Sequence, residues 1–290
     1  MRCRSRDGKD SSAGLPPCDD GSMTSLRPLL TPAPPPRSAA EVARQSVMLA
    51  GAGAAILLQV ADHRIGAGVA AHSRFTEDPI ARLRHTLQYI CVAVLPEAQF
   101  ARAEVLAHVH RAHAPVRGVD SRGRAYSAFD PDAQLWVAAT LYWAGEQVRR
   151  LVWGTLPAGD AERMYREYAA LATSLGVPEE KWPTDRAAFE AYWDAHVAGL
   201  ELTPEARAMA ADIFSGQGLP LPLRAVLPLA RLLTAGLLPA RVRAGLGWDW
   251  GGRDSRREAR TWAVAAPVYR RLPEAVQRSV VRWILRTLRG

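Results

Sequence analysis

The feature that most constrains this chain is the run from Ser46 to Ala61, which is apolar on nearly every side and carries Ala50, Gly51, Ala52, Gly53, Ala54 and Ala55 in succession. A helix without a polar face has to be enclosed by other helices. The run is also shorter than the roughly 20 residues that a membrane span needs. Each glycine costs about 1 kcal/mol of helix stability relative to alanine, so the small residues suit close approach by a flat cofactor or, equally, by a neighbouring helix.

From Ala40 onward the hydrophobic period is helical almost throughout, and the breaks carry capping signals. Thr203-Pro204 and Asp130-Pro131 each place a capping oxygen before a proline at the first helical position, and Thr184 and Asp160 are expected to open two further helices. Gly176, Gly199 and Gly236 suit helix ends in the left-handed conformation. These signals predict roughly nine or ten helices. No alternating β-branched run bounded by hairpin turns occurs, so no sheet is expected. Residues 1–38 hold seven prolines and no apolar period, and read as a disordered tail. The expectation is one all-α domain over residues 39–290.

Charge and cysteine content narrow the function classes. Residues 219–290 carry fourteen arginines against Asp249, Asp254, Glu258 and Glu274, whereas the whole chain has a formal charge of +8. Without a recognition motif this asymmetry reads as a solvated arginine face, and no nucleic-acid partner is expected. Cys3, Cys18 and Cys91 define neither a disulfide framework nor a zinc spacing. No secretory signal pattern follows Arg2, Arg4 and Arg6, so the expected location is cytoplasmic. In the C-terminal stretch Pro273–Arg289, Arg278, Arg282 and Arg286 recur every four residues opposite Val281, Ile284 and Leu288. That pattern fits an amphipathic helix docked on the domain, or one making weak peripheral contact with an anionic membrane.

Two helices can carry chemistry. Between Pro79 and Leu95, residues Ile80, Leu83, Leu87, Ile90 and Val94 form the core-facing stripe, with Arg82, Thr86 and Tyr89 along its edge. Such an edge is either an ordinary amphipathic boundary or a place where a cation and hydroxyls bind a ligand. The next helix, about Glu97 to Pro115, holds His108, His110 and His113. At about 100° per residue His113 shares its face with Leu106 and Val109, His110 flanks it, and His108 falls opposite, beside Glu104 and Arg111. An inward neutral imidazole among apolar walls is what a haem iron needs; a core histidine hydrogen-bonded to a carbonyl, or part of a non-haem metal site, uses the same position. The Gly-x-Ser-x-Gly elbow is absent, and the glycines between Gly245 and Gly252 lack the Gly-Lys-Ser/Thr ending of a phosphate loop.

The ordered motifs Ser73-Arg-Phe75, Asp78-Pro79, Arg82-Leu-Arg-His-Thr86, His113-Ala-Pro-Val-Arg-Gly118, Gly123-Arg-Ala-Tyr126, Asp130-Pro131 and Leu135-Trp136-Val137 resemble the catalytic domain shared by mpaB oxygenases and latex clearing proteins, over about residues 40–285. The resemblance implies a globin-related helical core with additional helices, and b-type haem with His113 as the iron ligand. Arg82 and Thr86 match positions close to the haem, and His85 and His110 are secondary candidates. It implies oxidation of a small apolar substrate, isoprenoid or lipid-like, by dioxygen. The alternative is a helical protein that binds haem or lipid without turnover. The chain departs from the family at Ala138, where many members carry histidine, at Ala61-Asp-His-Arg64, where Ala-His-Pro is usual, and at His85, where rubber-cleaving members have lysine.

Overall fold

Ser38 ends the chain's approach to the first helix by accepting a hydrogen bond from the Glu41 amide, and α1 runs from Ala39 to Ala43. In this computed structural model the residues described are 34–72, 79–217 and 219–289. Most of the expected tail, residues 1–33, lies outside them, as does the Ser73-Arg-Phe75 motif. The described residues are helical except for one small hairpin and the connections.

The small-residue run begins with a 3₁₀ turn over Ser46–Gly51 and continues as α2, Ala52–Ala61. Ala54, Leu57, Leu58, Val60 and Ala61 are all buried. Its principal partner is α6, Pro131–Trp153, whose Trp136 indole donates to Leu58 O at 2.9 Å. A Cβ on Gly53 would overlap the hydroxyl of Thr234 in α11, Leu221–Leu237, and one on Gly51 would lie 3.2 Å from Ala144 O. At these positions the glycines serve helix-to-helix approach. After α2 the chain bends by 98° into α3, His63–His72. Asp62 holds the corner: its buried carboxylate accepts from the Arg64 backbone and guanidinium at 2.8–3.0 Å and meets His196 Nε2 at 3.1 Å. Burial alone would raise the Asp62 pKa, but the His196 and Arg64 hydrogen bonds outweigh it and hold the carboxyl below its usual range.

Helix α4, Pro79–Val94, pairs with α5, Arg102–His113, through a 3₁₀ turn at Pro96–Ala101. Asp130 and Thr203 cap α6 and α10, Pro204–Ser215, with proline in the first turn, as the sequence predicts. Other boundaries differ. Helix α7, Ala158–Glu167, opens after Pro157, so Asp160 sits in its first turn instead of at its cap. Helix α9, Arg186–Gly199, is capped by Asp185, not Thr184: the Asp185 carboxylate, one position later, accepts from the Ala188 amide at 2.8 Å. Gly176 has the expected positive φ of 95°, but Gly199 and Gly236 do not, and Gly154 and Gly216 take that conformation instead. Gly236 lies inside α11, where a Cβ would come within 2.6 Å of Glu258 on α13, Gly252–Arg271, which follows the short α12, Ala240–Gly245.

The expectation of no sheet is corrected by a hairpin pairing β1, Arg117–Val119, with β2, Ala125–Ser127. Turn chemistry builds it: Asp120 accepts from the Arg122 and Arg124 amides, and Gly123 supplies a φ of 79°. The C-terminal helix is also broken, into α14, Glu274–Gln277, and α15, Ser279–Thr287. Val281 and Ile284 of α15 are buried on the α4 side of the domain. Among the described residues no single helix is long and apolar enough to cross a membrane; the bent pair of residues 46–61 and 63–72 meets that test only by joint length and composition.

Candidate active site

Leu83, Leu87, Ile90 and Val94, read from sequence as core-facing, face a partly open cavity of about 330 Å³ and are only half-buried for that reason. Ile56 of α2 and Leu141 of α6 line other walls, Leu171 extends them, and Val281 and Ile284 of α15 close one side. The apolar stripe of the C-terminal helix therefore does more than dock: it completes the chamber. Cys91 also lines the wall, where burial first and nearby Glu97 second push its thiol up to about 12. It is a poor nucleophile there.

The polar edge of α4 divides. Arg82 and Thr86 line the cavity, and the Thr86 hydroxyl donates to Arg82 O at 3.1 Å. Burial lowers the proton affinity of the Arg82 guanidinium without discharging it. Tyr89 is different: it is buried, and its hydroxyl donates to Leu171 O, a structural link between α4 and α8, Ala169–Thr173.

The candidate histidines His85, His108, His110 and His113 lie on α4 and α5 and outside the lining of the cavity. Antiparallel pairing brings the His85 and His108 rings to 4.8 Å. His113, at the end of α5, is half-buried, whereas His108 and His110 are exposed, in the order that helical geometry predicts. His110 packs on Phe129 at 4.6 Å and His113 meets the same ring edge-on at 6.4 Å. Burial, then the charges of His110 and Arg82, hold the His113 imidazole below the usual histidine value, so it is neutral near pH 7. Arg82 is thus a cavity residue that also acts on His113. Among the described residues no group of three or more His, Cys, Asp or Glu side chains is placed to hold a metal ion by itself.

Residues 40–271 match the family model for the ER-bound oxygenase mpaB/B'/rubber oxygenase catalytic domain. The chain belongs to this family. It is thus related to oxygenase catalytic domains, and the α4–α5 seam falls inside the matched segment, as does the chamber apart from Ala39 and the α15 wall. Two mycobacterial relatives, the uncharacterized proteins Rv2237 of Mycobacterium tuberculosis and Mb2261 of Mycobacterium bovis, are each 34% identical over 207 residues, covering 70% of this chain and 81% of their own lengths. No solved structure matches the chain. Where many family members carry histidine, Ala138 is fully packed in the core. At the departure from Ala-His-Pro, the corner is instead held by the Asp62–Arg64–His196 network, and His63 begins α3 half-buried.

Proposed function

We propose that the protein is a haem b-dependent oxygenase that uses dioxygen to oxidise a small apolar substrate, isoprenoid or lipid-like. The observation carrying this reading is the apolar chamber whose polar edge holds Arg82, a charge near enough to help keep the His113 imidazole neutral. The donor set suits an iron porphyrin: the neutral His113 imidazole would offer a nitrogen to the iron, the half-buried Arg82 guanidinium would pair with a propionate, and Leu106 and Val109 beside His113 are apolar. In this reading His113 would ligate the iron, Arg82 would bind the cofactor edge with His110 as a weaker contact, and Thr86 and His85 would serve as hydrogen-bonding groups toward dioxygen. Bound haem supplies the iron that activates dioxygen.

The chain's own residues select and position. Leu83, Leu87, Ile90 and Val94 reward an apolar ligand by about 25 cal/mol per Å² of its surface removed from water. The Thr86 hydroxyl, already donating to Arg82 O, offers its lone pairs to a ligand donor. The chamber falls near the lower end of the roughly 300–1,000 Å³ common for ligand sites, which favours a short carbon chain over a polymer.

The test is an absorption spectrum of the purified protein, as isolated and after haem reconstitution, for wild type and His113→Ala. A Soret band in the wild type that is lost or shifted in the variant is expected, together with oxygen consumption on isoprenoid or fatty substrates. No haem uptake by the wild type overturns the proposal. Uptake without turnover on any such substrate leaves a haem-binding protein instead.

A further inference from the structure

Tyr168, the residue joining α7 to α8, is only 6% exposed, yet its hydroxyl has no hydrogen-bond partner among the described residues. Buried hydroxyls are ordinarily paired, because an unpaired one loses its hydration without a replacement. Tyr89, Tyr165 and Tyr269 follow that rule by donating to Leu171 O, Pro183 O and Gln277 O. The Tyr168 oxygen departs from it and still keeps accessible surface, unlike the sealed indole nitrogens of Trp153, Trp182 and Trp262. That surface belongs to the chamber: Tyr168 lines it, and a Cβ on Gly145, another lining residue, would lie 3.2 Å from the hydroxyl.

The surroundings define what this hydroxyl can take. Tyr142 packs edge-on against the ring at 5.1 Å and fixes its place. Burial first, and the Glu146 carboxylate second, keep the phenol protonated, so it presents an O–H donor. The cation acting on it, Arg149, is already bonded to Glu146 and Gly154 O, and Glu167 adds a second negative charge. A ligand carboxylate here would gain one donor and face two anions, whereas an uncharged oxygen gains the donor without the repulsion. Tyr168 also stands apart from Arg82 and Thr86. Its carbonyl accepts from the Leu171 amide at 2.9 Å, and Leu171 is bonded to Tyr89, about 10 Å along α4 from Arg82.

We infer that the chamber takes an apolar chain ending in an uncharged hydroxyl or carbonyl oxygen, and that Tyr168 is the residue that holds this end. The phenol donates to the ligand oxygen, and the chain lies along Ile90, Leu87 and Leu83 toward the Arg82 and Thr86 edge. Tyr168 is thus a positioning residue that sets which carbon of the chain reaches that edge. That this ligand is the substrate rests on the function proposed above; its binding does not.

The experiment is displacement of the fluorescent apolar probe N-phenyl-1-naphthylamine from the full chain by octan-1-ol, octane and octanoate, for wild type and Tyr168→Phe. The substitution removes one unpaired oxygen and no packing atom, so the thermal melt of the variant should not fall. Octan-1-ol is expected to bind the variant about two- to tenfold more weakly than wild type, while octane binds both alike. Wild type should also prefer octan-1-ol to octanoate. Equal weakening of octan-1-ol and octane makes Tyr168 a packing residue and overturns the inference. Octan-1-ol affinity untouched by the substitution overturns it too, since the oxygen then sits at another polar group of the wall such as Gln59. Tighter binding of octanoate than of octan-1-ol, or no displacement of the probe by octan-1-ol, likewise overturns it. Displacement reads neither haem nor turnover, so this inference and the oxygenase proposal fail independently.

Discussion

Glu146 and Arg149, one turn apart on α6, are the most consequential charges in the interior. Their side chains are 8% and 1% exposed, and the guanidinium bonds the carboxylate twice, at 2.6 and 2.8 Å, with Gly154 O accepting a third bond at 3.0 Å. Replacing Glu146 with alanine leaves a cation in the core with one carbonyl for company. Breaking a buried pair from one side costs about 3–5 kcal/mol. For a domain of this size, each kcal/mol lowers Tm by about 2–4 °C, so Glu146→Ala should melt roughly 6–20 °C below wild type. Arg122 and Glu201 provide an internal control at 2.5 Å, with side chains 57% and 50% exposed. Arg122→Ala should cost under about 1 kcal/mol, since water screens that pair and Arg124 still meets Glu201 at 3.2 Å. Thermal and urea unfolding of both variants measures the contrast. Equal losses would refute the reasoning, because burial would then not set the magnitude; so would near-wild-type stability of Glu146→Ala.

Two further predictions follow from groups at the α2–α3 corner and in the chamber wall. The Asp62 carboxyl has a folded pKa below the value of about 3.9 that it takes when unfolded, so the stability it contributes is present above pH 4 and lost as pH falls below it. Asp62→Asn should therefore be less stable at pH 7 and show a flatter acid limb in urea titrations between pH 3 and 7; an acid limb as steep as that of wild type would count against the network. With its thiol near 12, Cys91 holds only about one part in ten thousand thiolate at pH 8. Peptide mass spectrometry after iodoacetamide treatment should find Cys91 unmodified in the folded chain and modified in urea, and equal labelling in both would contradict its burial.

The helical class, the proline-led starts of α6 and α10 and the enclosed α2 were legible in sequence because each rests on local period or capping. That His113 is more buried than His108 followed from helix geometry alone, although His113 ends half-buried and outside the cavity lining. The hairpin was missed because its strands are three residues long, held by the Asp120–Gly123 turn and not by an alternating pattern. The apolar stripe of α4 was visible, but not that it faces a chamber: that depends on how α6 and α15, remote in sequence, close around it. Tyr89 could not be separated from Arg82 and Thr86 by period, since its role is fixed by a carbonyl on α8. The exposed start of α11 resembled any other apolar run until its neighbours were known.

The pinch between Gly53 and Thr234 has a consequence for how the sequence can diverge. With a Cβ at position 53 colliding with a buried, branched side chain at 234, neither site can gain bulk alone. Among relatives that keep this helix crossing, the two positions should drift as a linked pair: alanine at 53 accompanied by a smaller residue at 234, and a larger residue at 234 only where 53 remains glycine.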